Sequence, residues 1–133
     1  MENYKKLAAE IRKTILLGMS YAHAGHVGGS MSMADLLAVL YGGVMHIDPK
    51  NPKMEDRDRL VVSKGHCGYG VYGALALKGY FPYEWLETIN RAGTKLPSHC
   101  DMNKVPGIDM TTGSLGQGMS TGLGIAWGLR YLN

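Results

Sequence analysis

The segment from Arg59 to Gly79 constrains the fold more than any other part of the chain. Leu60-Val61-Val62 is a short, β-branched apolar run bounded by polar residues, the pattern of a strand buried on both faces. Lys64-Gly65-His66 follows at once, and the residues from His66 to Leu77 are rich in Gly, Ala and Leu before stopping at Lys78-Gly79. The local order is strand, tight glycine turn, helix. This order predicts an α/β fold and brings the first amides of a helix to a strand's carboxyl end. Those amides lack intrahelical partners and the helix dipole favours negative charge, so anionic ligands gather at such places in open α/β sheets.

The flanking segments read as helices and loops. Leu7, Ile11, Ile15 and Met19 recur at helical spacing from Tyr4 onward, with Lys5, Lys6, Glu10 and Arg12 elsewhere around the helix. A loop is expected from Gly25 to Ser30. Ser32 with Asp35 three residues later approximates a capping box, so a second helix should begin there and end at Gly42-Gly43. The prolines of Asp48-Pro49-Lys50-Asn51-Pro52 force a surface connection. Pro82 opens a short helix through Ile89, and a long polar loop follows from Arg91 to Asp109. The last helix carries Gly118, Gly122, Gly124 and Gly128, which leaves one face almost bare. Each interior glycine costs about 1 kcal/mol relative to alanine, so a bare face implies close approach by another backbone or a ligand.

Size and composition exclude several classes. With 133 residues and 45% apolar content the chain has room for one domain with an ordinary core. A formal net charge of +3 is too small a single-sign field to imply nucleic acid, yet suits a phosphorylated small molecule. The N-terminal residues lack the apolar stretch of a secretory signal. The Gly-rich segment Leu115 to Leu132 contains Gln117, Ser120, Thr121 and Arg130, a poor candidate for a bilayer span. Cys67 and Cys100 are too few for a disulfide framework. No membrane association and a reducing, cytoplasmic setting are expected.

His26, His66 and His99 each lie in a loop or turn with glycine or another small residue close by. Imidazole exchanges protons and donates hydrogen bonds to phosphate or sugar oxygens near neutral pH. Any one of them alone could merely satisfy a turn; the three together point to a site. His66 is the sharpest case, because it opens a helix where backbone donors converge. His23 and His46 lack such surroundings and receive no role. A zinc site drawn from His66, Cys67, His99 and Cys100 has no recognised spacing, and adjacent residues seldom aim two ligands at one ion. No metal ligand is assigned.

Thr111-Thr112-Gly113-Ser114-Leu115-Gly116-Gln117-Gly118 could be a glycine-rich turn before a tightly packed helix, but the match is longer than a glycine pattern. It closely resembles the segment by which transketolases hold the rings of thiamine diphosphate. The resemblance extends over nearly the whole chain and in the family's order. Gly25-His26-Val27-Gly28-Gly29 resembles the family's Gly-His-Pro-Gly segment, and Ser63-Lys64-Gly65-His66 resembles the turn that bears its diphosphate-contacting histidine. His99 aligns with a later histidine of the substrate channel.

The resemblance implies a partial thiamine-diphosphate-binding fold, helix-rich, with at least one parallel strand. His66 would contact the cofactor diphosphate, Gly113 and Leu115 would contact its rings through backbone atoms, and His26 and His99 would face sugar hydroxyls. The implied activity is transfer of a two-carbon ketol unit between sugar phosphates, as in the pentose phosphate pathway. Residues 1–133 would form the N-terminal portion of the diphosphate-binding domain, stopping before the Gly-Asp-Gly segment with which the family holds Mg2+ or Ca2+. Activity would then require a C-terminal transketolase part or subunit, in an enzyme that is a homo-oligomer when complete. A non-catalytic fragment that keeps the scaffold without binding the cofactor is the alternative. Val27 and Cys100 stand where the family commonly has proline, which alters loop stiffness without removing an imidazole.

Overall fold

The computed structural model describes residues 2–132. Among the described residues five α-helices carry the fold: α1 (Glu2–Ala22), α2 (Val27–Met31), α3 (Ala34–Val39), α4 (Gly68–Lys78) and α5 (Gln117–Leu132). A π-helical turn, Leu40–Val44, extends α3, and 3-10 turns cover Gly65–Cys67 and Tyr83–Thr88.

The centre is α4. Every residue from Gly68 to Ala76 is buried, in keeping with a helix that carries no charge before Lys78. α1 packs against it, burying Ala8, Ile11, Thr14, Ile15 and Gly18 on the face that the periodicity predicts. α3 adds Leu37 and Ala38, and the chain beyond α4 closes the core with Leu86, Ile89, Leu96 and Val105. Gly79, in the left-handed conformation at φ 85°, ends α4 where Lys78-Gly79 predicted a stop.

Glycine lets these layers approach. A Cβ on Gly73 would lie 2.0 Å from Thr14 Oγ1 on α1, and one on Gly70 would lie 3.2 Å from the Ser30 carbonyl oxygen on α2. Another on Gly68 would lie 3.1 Å from the Ser98 carbonyl oxygen. Three separate segments therefore sit directly against one helix.

Three expectations need correction. The loop expected from Gly25 to Ser30 is largely helical, as part of Val27–Met31, its first turn closed by the Ser30 amide donating to His26 O at 3.1 Å. The Ser32/Asp35 capping box does not form: Asp35 pairs with Arg12 of α1, while Ser32 Oγ donates to Gly29 O and accepts from Lys64 Nζ. Tertiary partners outcompete the local cap. Leu60-Val61-Val62 has no strand neighbour among the described residues, so the expected parallel strand is not observed. Only Val62 is buried, and the Leu60 amide donates instead to Asp109 Oδ2 at 2.8 Å. A strand is defined by its ladder, and here a side chain takes the ladder's place. Asp109 also pairs with Arg57, and that pair is largely buried; the carboxylate beside Arg57 raises the guanidinium's pKa further.

By length and hydropathy Val27–Val44 could cross a membrane. It is folded as α2, a turn, α3 and the π-turn, with Ala34, Leu37, Ala38 and Tyr41 in the core. The glycine-bearing face of α5 is closed only near its start. A Cβ on Gly118 would lie 2.6 Å from Ser63 Cα and one on Gly122 3.8 Å from the Val61 side chain, whereas nothing approaches Gly124 or Gly128.

Two glycine substitutions should move stability in opposite directions in urea unfolding. Gly73→Ala should destabilise the chain by about 1–3 kcal/mol, because α1 must shift to clear the new methyl. Gly124→Ala, in open space on a helix, should stabilise it by roughly 0.5–1 kcal/mol.

Candidate functional site

The three histidines singled out from the sequence come together. The ring centroids of His26 and His66 are 4.8 Å apart, those of His66 and His99 4.6 Å, and those of His26 and His99 5.3 Å, all edge-on. His26 is the exposed residue before α2, His66 lies in the 3-10 turn that opens α4, and His99 lies in the loop after Leu96.

Two tyrosines of α4 hold the outer loops. Tyr69 donates to Ala24 O at 2.9 Å, two residues before His26, and Tyr72 donates to His99 O at 2.6 Å. Burial raises the pKa of both phenols, so both remain donors at neutral pH. Lys64 Nζ ties the turn before His66 to α2, donating to Gly29 O at 3.1 Å and to Ser32 Oγ at 2.7 Å. Sequence reading missed these anchors. Their signal was the alternation Gly68-Tyr69-Gly70 and Tyr72-Gly73, in which polar-tipped rings interrupt an apolar helix.

The Thr111-Thr112-Gly113 segment reaches the same place. A Cβ on Gly65 would lie 1.9 Å from the Thr112 carbonyl oxygen, so backbone lies directly on backbone beside His66. The Thr112 amide donates to Cys100 O at 3.2 Å, and the Met102 amide to Thr111 Oγ1 at 3.1 Å, which fastens the segment to the residues after His99. Gly113 lies next to this contact with nothing within 4 Å of its Cβ position, and a cavity of about 80 Å³ opens along Thr112, Gly113 and Gln117. Leu115 is farther out, with its side chain 71% exposed.

Buried polar atoms without partners collect here. His66 Nδ1 and Thr112 Oγ1 have none, nor do Ser30 Oγ and Ser63 Oγ from the adjoining segments. An unpartnered buried polar atom calls for a ligand or water to complete it. His99 is held below its ordinary pKa of 6.5, first by burial and then by the His66 and His26 imidazoles. A neutral imidazole is thereby favoured, able to donate from one nitrogen and accept at the other. Its Nδ1 lies 2.9 Å from Ser98 Oγ, which leaves Nε2 for other partners. His23 and His46 stand apart from this group: His23 ends α1 with φ 53°, and His46 lies beside Asp56 in the proline-rich connection.

A cluster of imidazoles and unpartnered polar atoms at the start of a buried helix, with open glycine backbone beside it, is suited to an anionic ligand. The family model for the transketolase thiamine diphosphate-binding domain matches residues 4–133. This chain belongs to the transketolase family. The 6-deoxy-6-sulfo-D-fructose transketolase subunit SqwG of Clostridium sp. (strain MSTE9) is 60% identical over 116 residues, covering 87% of this chain and 42% of that protein. An apulose-4-phosphate transketolase subunit of Actinobacillus succinogenes is 38% identical, over 92% of this chain and 44% of that protein. Among solved structures, transketolase from Leishmania mexicana superposes with a TM-score of 0.88 at 35% identity, over 92% of this chain and 18% of that one. The chain thus spans less than half the length of these relatives.

Gly65→Ala should drive Thr112 off the turn and lower stability by about 1–3 kcal/mol, with loss of the close His66–His99 contacts in NMR spectra. The His99 imidazole should titrate below 6.5. Its folded value is depressed, so its contribution to stability is complete above 6.5 and is lost as pH falls through the folded value. His99→Gln should flatten the stability profile in that window, measured by urea unfolding at a series of pH values.

Proposed function

We propose that this chain supplies the diphosphate-binding side of a thiamine diphosphate site in a transketolase assembled from more than one piece. The observation that carries the reading is the contact between Gly65 and Thr112, which sets the Thr112-Gly113 segment against the turn that bears His66. His66 would hold the diphosphate, its unpartnered Nδ1 being a buried group in need of a ligand. The open backbone at Gly113 and the neighbouring Leu115 would meet the rings. His26 and His99 would face the sugar hydroxyls and move protons there. When bound, thiamine diphosphate supplies the electron sink for a two-carbon ketol unit; the protein's part is orientation and proton transfer.

The cofactor's Mg2+ or Ca2+ does not fit the residues present. Hard cations take oxygen ligands, and among the described residues the one cluster of ligating side chains is the histidine set. A partner segment would bring the metal ligands. The outer face of α5 supports such a partner: Met119, Leu123, Trp127 and Tyr131, four residues apart in turn, are each 70–85% exposed. A contiguous apolar stripe of this kind marks an interaction surface. Two of the relatives are named as subunits, which favours a separate partner chain over a self-sufficient enzyme. Both cysteines are free and buried, in keeping with a reducing, cytoplasmic setting.

The substrate class has two readings. Sugar phosphates suit the family as a whole, but the 60% identity to a protein named for 6-deoxy-6-sulfo-D-fructose favours a sulfonated ketose as donor. Calorimetric titration with thiamine diphosphate and Mg2+ should show binding once a complementary C-terminal transketolase subunit is present, and His66→Ala should weaken it by at least about tenfold, the loss of one charge-assisted hydrogen bond. The reconstituted pair should then turn over 6-deoxy-6-sulfo-D-fructose faster than fructose 6-phosphate. Absence of cofactor binding in every combination would leave the scaffold-only alternative.

A further inference from the structure

We infer that Lys64 is a specificity-determining residue of the histidine site, an uncompensated positive charge that binds a tetrahedral oxyanion, phosphate or sulfonate, beside His26 and His66. Its Nζ donates to Gly29 O at 3.1 Å and to Ser32 Oγ at 2.7 Å. Gly29 is the residue at which two of the imidazoles meet: a Cβ there would lie 3.8 Å from His66 Cβ and 3.9 Å from His26 Cβ. The ammonium is thus one hydrogen bond away from the backbone that lies between those side chains.

Both partners of this ammonium are neutral. An ammonium carries three donors, so two bonds leave one N–H for a further acceptor. Among the described residues no carboxylate is paired with it. Residues 24–34, 60–78 and 111–118, the segments that build the site, contain no acidic side chain. The nearest in sequence are engaged elsewhere: Asp35 with Arg12, Asp109 with Arg57, and Asp101 with the Asn103 amide at 2.9 Å. Burial pushes the Cys67 thiol up to about 11 and the Lys64 ammonium opposes that rise, so its charge reaches the start of α4. Ser30 Oγ and Ser63 Oγ, next to Gly29 and Lys64 in the chain, are buried without partners. Imidazole offers hydrogen bonds with a charge that comes and goes near neutral pH, whereas a lysine ammonium is a compact point charge of the kind that binds phosphate.

The identity of the ligand rests on the function proposed above; the charge does not. The full chain, carrying 13C at lysine Cε and 15N at its amides, is titrated with sodium pyrophosphate and followed by NMR. The Lys64 Cε and Gly29 amide signals should shift together and saturably, and those of Lys53 and Lys104 should not. Lys64→Gln should weaken binding by at least about tenfold, the loss of a charge-assisted hydrogen bond, and Lys64→Arg, which keeps the charge, by less than about threefold. No saturable binding, shifts at Lys53 or Lys104 in place of Lys64, or equal losses in Lys64→Arg and Lys64→Gln would overturn the proposal, the last marking a structural staple only. The lysine signals of the parent chain need no substitution, so the test stands if Lys64→Gln fails to fold. With a complementary C-terminal transketolase subunit added, Lys64→Gln should weaken thiamine diphosphate but not thiamine if the charge meets the cofactor. It should raise KM for 6-deoxy-6-sulfo-D-fructose with kcat kept if the charge meets the substrate's sulfonate. Neither change in a pair that turns over would overturn the proposal. Pyrophosphate binding through Lys64 in a chain that never takes thiamine diphosphate would support the charge and defeat the functional reading alone.

Discussion

The contact between the Gly65 backbone and the Thr112 carbonyl is the constraint on which the site depends. A Cβ at residue 65 would sit 1.9 Å from that oxygen, inside any permissible van der Waals separation. Because the clash would be with backbone, no rotamer change could relieve it. The glycine does more than permit a turn. It lets the Thr111-Thr112-Gly113 segment lie against the start of α4, and so places an open strip of backbone beside His66.

α4 extends the same logic along its length. Gly68, Gly70 and Gly73 admit the Ser98 loop, α2 and α1, while Tyr69 and Tyr72 reach out between them to hold Ala24 and His99 by their carbonyls. A helix with so many glycines is intrinsically poor, by about 1 kcal/mol at each interior position. Complete burial and the tyrosine hydrogen bonds offset that weakness. A helix of weak propensity therefore becomes the one on which the layers converge, with His66 in the turn that opens it and His26 and His99 beside the segments it admits.

The fold is less closed on its other side. Leu60-Val61-Val62 has the composition of a central strand but no strand beside it among the described residues, and α5 offers an apolar stripe to solvent. The largely buried Arg57–Asp109 pair steadies this edge, since Asp109 accepts the Leu60 amide that a neighbouring strand would otherwise engage. An edge held by one carboxylate and a helix face left bare are both suited to meeting further protein.

Local sequence determined the periodic face of α1, the stop at Lys78-Gly79, the helix after His66 and the glycine segment before α5, because 3.6-residue periodicity and turn chemistry act over a few residues. It also singled out His26, His66 and His99 by their settings, and the family likeness through Thr111 to Gly118. Tertiary structure alone decided that Val27–Met31 is helical, that Ser32 and Asp35 abandon their cap for Lys64 and Arg12, and that Leu60 bonds to a carboxylate. It also decided that the three rings face one another. Such outcomes depend on which distant segments a glycine allows to touch, and the spacing of residues along the chain carries no record of that.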